Sequence, residues 1–314
     1  MAETNPVDRL ALHPALGGIP LVLGGNVFGW TIDRDRSFAV LDAFFEAGGR
    51  MIDTAEGYSD WVPGNQGGES EAIIGAWMES RGVRAAMRIG TKTGQGGGPN
   101  VLRPEKVRQA LEGSLERLRT DYVDLYYAHR DDLTTPLDEV VSVYNEAFRT
   151  GRARELGASN YSAERLSGIR AVARKAGAQP FTVIQPHYNL VARSQFEGAL
   201  QDMAVRDDIA VMPYYGLAAG FLTGKYNSPE DWAGSGRSGG LDRAVTDGAW
   251  AKLDALRRVA AQLGATPAQL ALAWLRTRPG VAAPIASATT PEQVRELAGA
   301  ARLDLPVDVC DILE

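Results

Sequence analysis

Four polar residues stand where apolar runs of this chain end: Asp53 and Tyr58 in MIDTAEGYSD, Lys92 in RIGTKTG and His129 in DLYYAHRDD. A carboxylate, a phenol, an ammonium and an imidazole gathered at one place can deliver a proton to a developing alkoxide. None of them does so well alone near neutral pH. The runs before them read as short buried strands. A barrel of parallel strands would bring all four residues to one face, and that face is where such barrels do chemistry.

The elements that would carry them alternate along the chain. Strand signals fall at Met51 to Asp53, Arg88 to Thr91, Tyr122 to Ala128, Glu155 to Ser159, Val183 to Pro186, Ile209 to Pro213 and Val281 to Ile285. A short run at Leu21 to Gly24 makes eight, and Ile19 to Leu23 reads as part of an N-terminal β-hairpin. Amphipathic segments lie between them, such as Pro104 to Leu118, where Val107, Leu111, Leu115 and Leu118 recur at helical spacing. Pro104, Pro136 and Pro267 suit first turns of helices. This rhythm predicts an α/β fold, a (β/α)8 TIM barrel formed as one domain over residues 1–314. An open doubly wound sheet would call for a glycine-rich phosphate turn after its first strand, and GxGxxG is absent. Three Gly-, Pro- and Trp-rich segments, YSDWVPGNQGGES, TGQGGGPN and GKYNSPEDWAGSGRSGGLDR, follow strand ends and read as long loops at the C-terminal face.

Composition narrows the classes. Hydrophobic residues make up 45% and charged residues 23% of the 314, enough for a sizeable core. A net charge of -6 with no dense basic run argues against nucleic acid or an anionic membrane as partner. The lone Cys310 cannot form an internal disulfide and reads as structural. MAETNPVDRL has no apolar signal region, and no run approaches the roughly 20 apolar residues that span a bilayer, so a cytoplasmic protein is expected.

Taken in order, MIDTAEGY, TK, DLYYAH, LGASN, QPHYN and PYYGLAAGFLTGKY resemble the aldo-keto reductase superfamily, from LVLGGNVFG almost to the end of the chain. The likeness is nearer to the bacterial branch and the potassium-channel β-subunits than to the long-tailed human enzymes, because the chain stops soon after its last helix. The resemblance implies a barrel that binds a nicotinamide dinucleotide without a Rossmann domain. It matches all four opening residues to the family's catalytic positions. Chemistry assigns the same roles: Tyr58 is the general acid, Lys92 lowers its pKa, Asp53 holds Lys92 charged, and His129 orients the carbonyl or relays a proton.

Cofactor positions are implied by the same resemblance. Ser159, Asn160 and Gln185 match groups that hydrogen-bond the nicotinamide carboxamide, and Tyr214 matches the aromatic that stacks on its ring. Gly24, Gly25 and Asn26 match the turn beneath the nicotinamide ribose, while Leu217, Gly220 and Lys225 match positions around the pyrophosphate. Ser287, Thr289, Gln293 and Glu296 match the adenine-phosphate segment, a helix start whose amides suit an anion. There are departures: Tyr215 and Gly216 replace the usual Ser-Pro, Leu297 stands where Asn is common, and neither Lys at 287 nor Arg at 293 is present. NADP(H) is favoured over NAD(H), with Lys225 and Arg237 or Arg243 as further phosphate partners. His13 and His187 are assigned to structure or the rim.

Three functions remain open at this level. The first is an NADP(H)-dependent reductase of an aldehyde or ketone, sugar-like carbonyls included. The second is a regulatory protein that holds cofactor and turns over slowly; His129, usually Asn in the channel subunits, favours the enzyme. The third is an unrelated barrel lyase or isomerase using Lys92 as a Schiff base, which has no use for Ser159, Asn160, Gln185 and Tyr214. Trp30, Trp61 and Trp232 are candidate substrate-rim residues, and no metal site is expected.

Overall fold

A computed structural model describes residues 16–234, 238–246 and 248–313; His13 and Arg237 lie outside these. Eight strands run β1 (Val22–Gly24), β2 (Met51–Asp53), β3 (Arg88–Thr93), β4 (Val123–Ala128), β5 (Ala153–Ser159), β6 (Val183–Gln185), β7 (Ala210–Val211) and β8 (Ile285–Ala286). Their order is β7-β6-β5-β4-β3-β2-β1-β8, and every pairing is parallel. A parallel Val211–Val281 bridge, with the Ile285 amide donating to the Pro213 carbonyl at 2.9 Å, joins β7 to the approach of β8 and closes the ring. The expected (β/α)8 architecture is therefore present. The run expected at Val281 to Ile285 is split, because Pro284 has no N–H to give the ladder; Val281 serves β7, and regular pairing resumes at Ile285.

Helices α1 (Arg34–Glu46), α2 (Glu69–Arg81), α3 (Pro104–Leu118), α4 (Leu137–Arg149), α5 (Ala163–Lys175) and α6 (Ala199–Arg206) each follow the strand of the same number. Between β7 and β8 come α7 (Ser238–Ala244), α8 (Ala249–Gln262) and α9 (Pro267–Arg276), and after β8 come α10 (Pro291–Gly299) and α11 (Val307–Leu313). Pro104 and Pro267 open their helices, the latter behind a Thr266–Gln269 capping box, whereas Pro136 sits one residue before α4.

Both faces of the sheet are buried, which explains why the strands read as continuous apolar runs rather than alternating ones. Val22, Met51, Leu125, Tyr127, Val183, Met212 and Ile285 fill one cluster. Their chain neighbours Leu23, Ile52, Tyr126 and Ile184 belong to the other, which includes helix residues such as Val40, Ile74 and Leu111. Strand period two then places Asp53 on the side of Met51, and Lys92, paired in register with Tyr127, on the side of Tyr127. Gly157 is required for this packing, since a Cβ there would meet the Tyr127 ring at 2.5 Å. The N-terminal hairpin expected around Ile19 to Leu23 is not formed by that segment. Val22 and Leu23 already use both edges, pairing in parallel with β2 and β8, so no edge is left there for an antiparallel partner. Cys310 is buried, with its Sγ 3.6 Å from Thr277 Oγ1.

Candidate active site

β2 ends at Asp53 and β3 carries Lys92 one residue before its own end, so the two side chains meet inside the mouth of the barrel. Lys92 is wholly buried. Its Nζ donates to Asp53 Oδ2 at 2.7 Å, to the Thr54 carbonyl at 2.7 Å and to Tyr58 Oη at 2.9 Å. An ammonium has three hydrogens, and all three are spent here. Asp53 Oδ1 accepts from Gln185 Nε2 at 2.8 Å, so the carboxylate is held from across the barrel by β6.

The electrostatics of this trio differ from the sequence expectation in one respect. Burial drives the Lys92 pKa down against the pull of Asp53. Burial first, and the Asp53 carboxylate next, raise that of Tyr58 well above its ordinary value. The expected lowering of Tyr58 by Lys92 is thus outweighed: Asp53 offsets the lysine charge, and burial disfavours the phenolate. Tyr58 is held as a neutral phenol whose oxygen accepts from Lys92 and whose O–H faces the Asp53 carboxylate.

His129 follows β4 directly. Its amide donates to the Thr93 carbonyl at 2.8 Å, and its ring centroid lies 6.0 Å from that of Tyr58, inclined at 70°. Burial, then the charges of Lys92 and Arg130, push the imidazole pKa well below 6.5. Nδ1 is buried without a protein partner, a position that calls for a ligand or water. The ring is expected to remain neutral from pH 6.5 to 8. Nitrogen-15 NMR of the imidazole will show no titration across that interval, and a midpoint near 6.5 contradicts the assignment. The unfolded chain binds a proton there that the native one does not, so this group costs stability as pH falls through 6.5.

The carboxamide candidates form one connected group beside it. Asn160, with φ 58°, donates from Nδ2 to the His129 carbonyl at 2.9 Å and to Ser159 Oγ at 3.0 Å, and accepts from Tyr214 Oη at 2.8 Å. Ser159 Oγ donates to the Gln185 carbonyl at 2.8 Å. His187 lies parallel to the Tyr214 ring, centroids 5.3 Å apart and planes within 18°, so it backs the one aromatic expected to stack. That pairing went unread in the sequence, although the two-residue step from Gln185 on β6 to His187 would have placed it beside the end of β7.

The phosphate-side candidates are less tightly joined. A Cβ on Gly24 would meet Ser287 Oγ at 2.5 Å, and Ser287 Oγ donates to Asn26 Oδ1 at 2.6 Å, so Gly24, Gly25, Asn26 and Ser287 lie together where β1 and β8 end. Thr289 donates from N and Oγ1 to Gln293 Oε1 at 2.8 and 3.1 Å at the start of α10. The Glu296 carbonyl instead accepts from Gln269 of α9. Leu217 and Gly220 bound a turn in which Ala218, Ala219 and Gly220 all have positive φ, and the exposed Lys225 places its Nζ 4.8 Å over the Tyr226 ring.

The three tryptophans divide. Trp61 is 44% exposed and stands edge-on to Trp30, at 5.4 Å, and to Tyr58, at 6.2 Å. Trp232, expected at the rim, is only 3% exposed. It stacks on Trp250 at 6.0 Å and donates from Nε1 to Asp242 of α7 at 2.9 Å, anchoring the segment after β7 instead of presenting a face to solvent. Among the described residues no cluster of potential metal ligands occurs, and no helix is long and apolar enough to cross a membrane.

Fold and site together define a parallel α/β barrel with acid–base groups at the carboxyl ends of its strands. The chain belongs to the Aldo/keto reductase family, whose model matches residues 20–314. It is 34% identical over 278 residues to a probable voltage-gated potassium channel subunit beta of Oryza sativa subsp. japonica, covering 86% of this chain and 83% of that protein. An uncharacterized oxidoreductase of Bacillus subtilis (strain 168) shares 31% over 303 residues, covering 93% and 90%. An aryl-alcohol dehydrogenase [NADP(+)] of Phanerodontia chrysosporium shares 30% over 306 residues, covering 86% and 77%. Family membership and such relatives support an oxidoreductase.

Proposed function

We propose that this protein is an NADP(H)-dependent oxidoreductase that reduces an aldehyde or ketone to the alcohol, with Tyr58 as general acid. The carrying observation is the bond from Lys92 Nζ to Tyr58 Oη, made with the ammonium's other two hydrogens already committed. When bound, the reduced nicotinamide supplies the hydride. Tyr58 gives its phenolic proton to the carbonyl oxygen as that oxygen gains charge, and the Lys92 N–H stabilises the phenolate left behind. Asp53 keeps Lys92 paired in the apolar interior. His129, neutral, donates one ring N–H to the same oxygen and orients it. Trp61 and Trp30 offer an apolar wall beside the acid.

The residues present fit such a cofactor. Ser159, Asn160 and Gln185 converge with complementary donors and acceptors, Tyr214 is half-buried and backed by His187, and the bare Cα of Gly24 leaves room beside Ser287. Ser287 and Thr289 just before α10, together with Lys225 from the segment after β7, favour a 2′-phosphate, and the fungal relative is named for NADP(+). Titration of protein fluorescence with the two reduced cofactors is expected to give tighter binding of NADPH. Equal or tighter binding of NADH overturns that preference.

The likeness to channel β-subunits supports a second reading, a regulatory protein that holds cofactor and turns over slowly. The intact Asp53, Tyr58, Lys92 and His129 set weighs for turnover. Loss of NADPH absorbance with a panel of aldehydes, ketones and sugars separates the two readings.

A further inference from the structure

Past the end of β2 the chain must hold its register against β3 and then turn back so that Tyr58 reaches Lys92. The ladder runs on beyond Asp53: the Thr54 amide donates to the Gly90 carbonyl at 2.8 Å, and the Glu56 amide to the Lys92 carbonyl at 3.1 Å. At Glu56 the side chain takes over. Its Oε1 accepts from Thr93 Oγ1 at 2.5 Å and from the Gly94 amide at 2.8 Å. Glu56 therefore grips β3 at Lys92 itself through the backbone and at the next two residues through the carboxyl. Two residues later Tyr58 donates its amide to the Ala55 carbonyl at 3.2 Å, closing the turn that returns the phenol to Lys92 Nζ.

We propose that Glu56 is a positioning residue that fixes the Tyr58 phenol against the Lys92 ammonium by tying the loop after β2 to the end of β3. The inference rests on Tyr58 being the acid. Glu56 touches no reacting group; it acts through the register of the two segments that carry them. Both side-chain bonds fall on one oxygen, so the tie needs an acceptor and not a charge. Burial raises the Glu56 carboxyl pKa against the bonds from Thr93 and Gly94, which favour the charged form, with Glu71 adding to the rise and Arg117 opposing it. A glutamine oxygen can accept the same two bonds, and an alanine cannot.

The test compares Glu56→Ala and Glu56→Gln. Since misplacing a catalytic group by about 1 Å can cost on the order of 100-fold, Glu56→Ala is expected to lower kcat for carbonyl reduction about 10- to 100-fold, with the NADPH dissociation constant within about 2-fold of wild type. Glu56→Gln is expected to keep at least about half of wild-type kcat on the same argument. An unchanged kcat in Glu56→Ala, or a Glu56→Gln variant as impaired as alanine, overturns the proposal. Should Glu56→Ala fail to fold, Thr93→Val removes one of the two donors and is expected to give the same split between kcat and cofactor binding at a few-fold amplitude; no loss of kcat there overturns it equally. Amide hydrogen exchange of the cofactor-free chain reads the tie without activity. Gly94 and Tyr58 should exchange faster in the alanine variant and at the wild-type rate in the glutamine one, and equal exchange in all three refutes the tie. A wild type that reduces no carbonyl with either cofactor sinks the functional reading, and the exchange data then still decide whether Glu56 joins the two segments.

Discussion

Tyr58→Phe is expected to lower carbonyl turnover by about three orders of magnitude, within the 100- to 10,000-fold range of general acid catalysis, while NADPH binds within about 2-fold of wild type. The substitution keeps the ring, and with it the edge contacts to Trp61 and His129. It removes the one atom that joins Lys92 to the reacting centre. None of the carboxamide candidates Ser159, Asn160 and Gln185 bonds to Tyr58, so their bonds to one another and to Tyr214 survive. Lys92 loses one of three acceptors in a buried site, which costs stability by roughly 1–3 kcal/mol for an unmet donor. Stopped-flow reduction of a reactive aldehyde, alongside a fluorescence titration of cofactor, separates the two effects. Turnover equal to wild type would falsify the assignment of Tyr58; lost cofactor binding would show that the phenol builds the dinucleotide site.

Some of this arrangement was legible in the sequence because strand geometry is regular. An apolar run ending in Asp53, and another interrupted only by Lys92 before its own end, put both side chains at the mouth once the strands are parallel and in register. The eight strands and the Pro-led starts of α3 and α9 follow from similarly local rules. What could not be read depends on neighbours distant in the chain. The Tyr58 pKa is set by burial and by Asp53, and neither the depth of the site nor the mutual cancellation of Asp53 and Lys92 is a property of a motif. Trp232 looks like a rim residue by composition, but Trp250 and Asp242 bury it. Glu56 reads in the sequence as one acidic residue in a turn, since its partners are the side chain and amide at the end of the next strand. Hydrophobic pattern reports which face a residue takes. It does not report which polar atoms will find each other there.

The same cancellation gives the second large effect. Replacing Lys92 with methionine leaves Asp53 buried, with Gln185 still donating to it but its ammonium partner gone. Removing one member of a buried pair costs about 3–5 kcal/mol, because the desolvation of the survivor is no longer offset. Lys92→Met is therefore expected to lower the denaturant midpoint strongly and to abolish measurable turnover. Removing both charges should behave differently. In Asp53→Asn with Lys92→Met the buried charge is gone, the asparagine oxygen can still accept from Gln185, and most of the lost stability should return, whereas turnover should not. The comparison distinguishes a structural ion pair from one retained for chemistry. If the double variant is as unstable as Lys92→Met, the three bonds of the ammonium hold this end of the barrel together on their own account. If it regains activity along with stability, the proton reaches the carbonyl without help from Lys92, and the phenol oxygen's bond to the ammonium is an incidental contact.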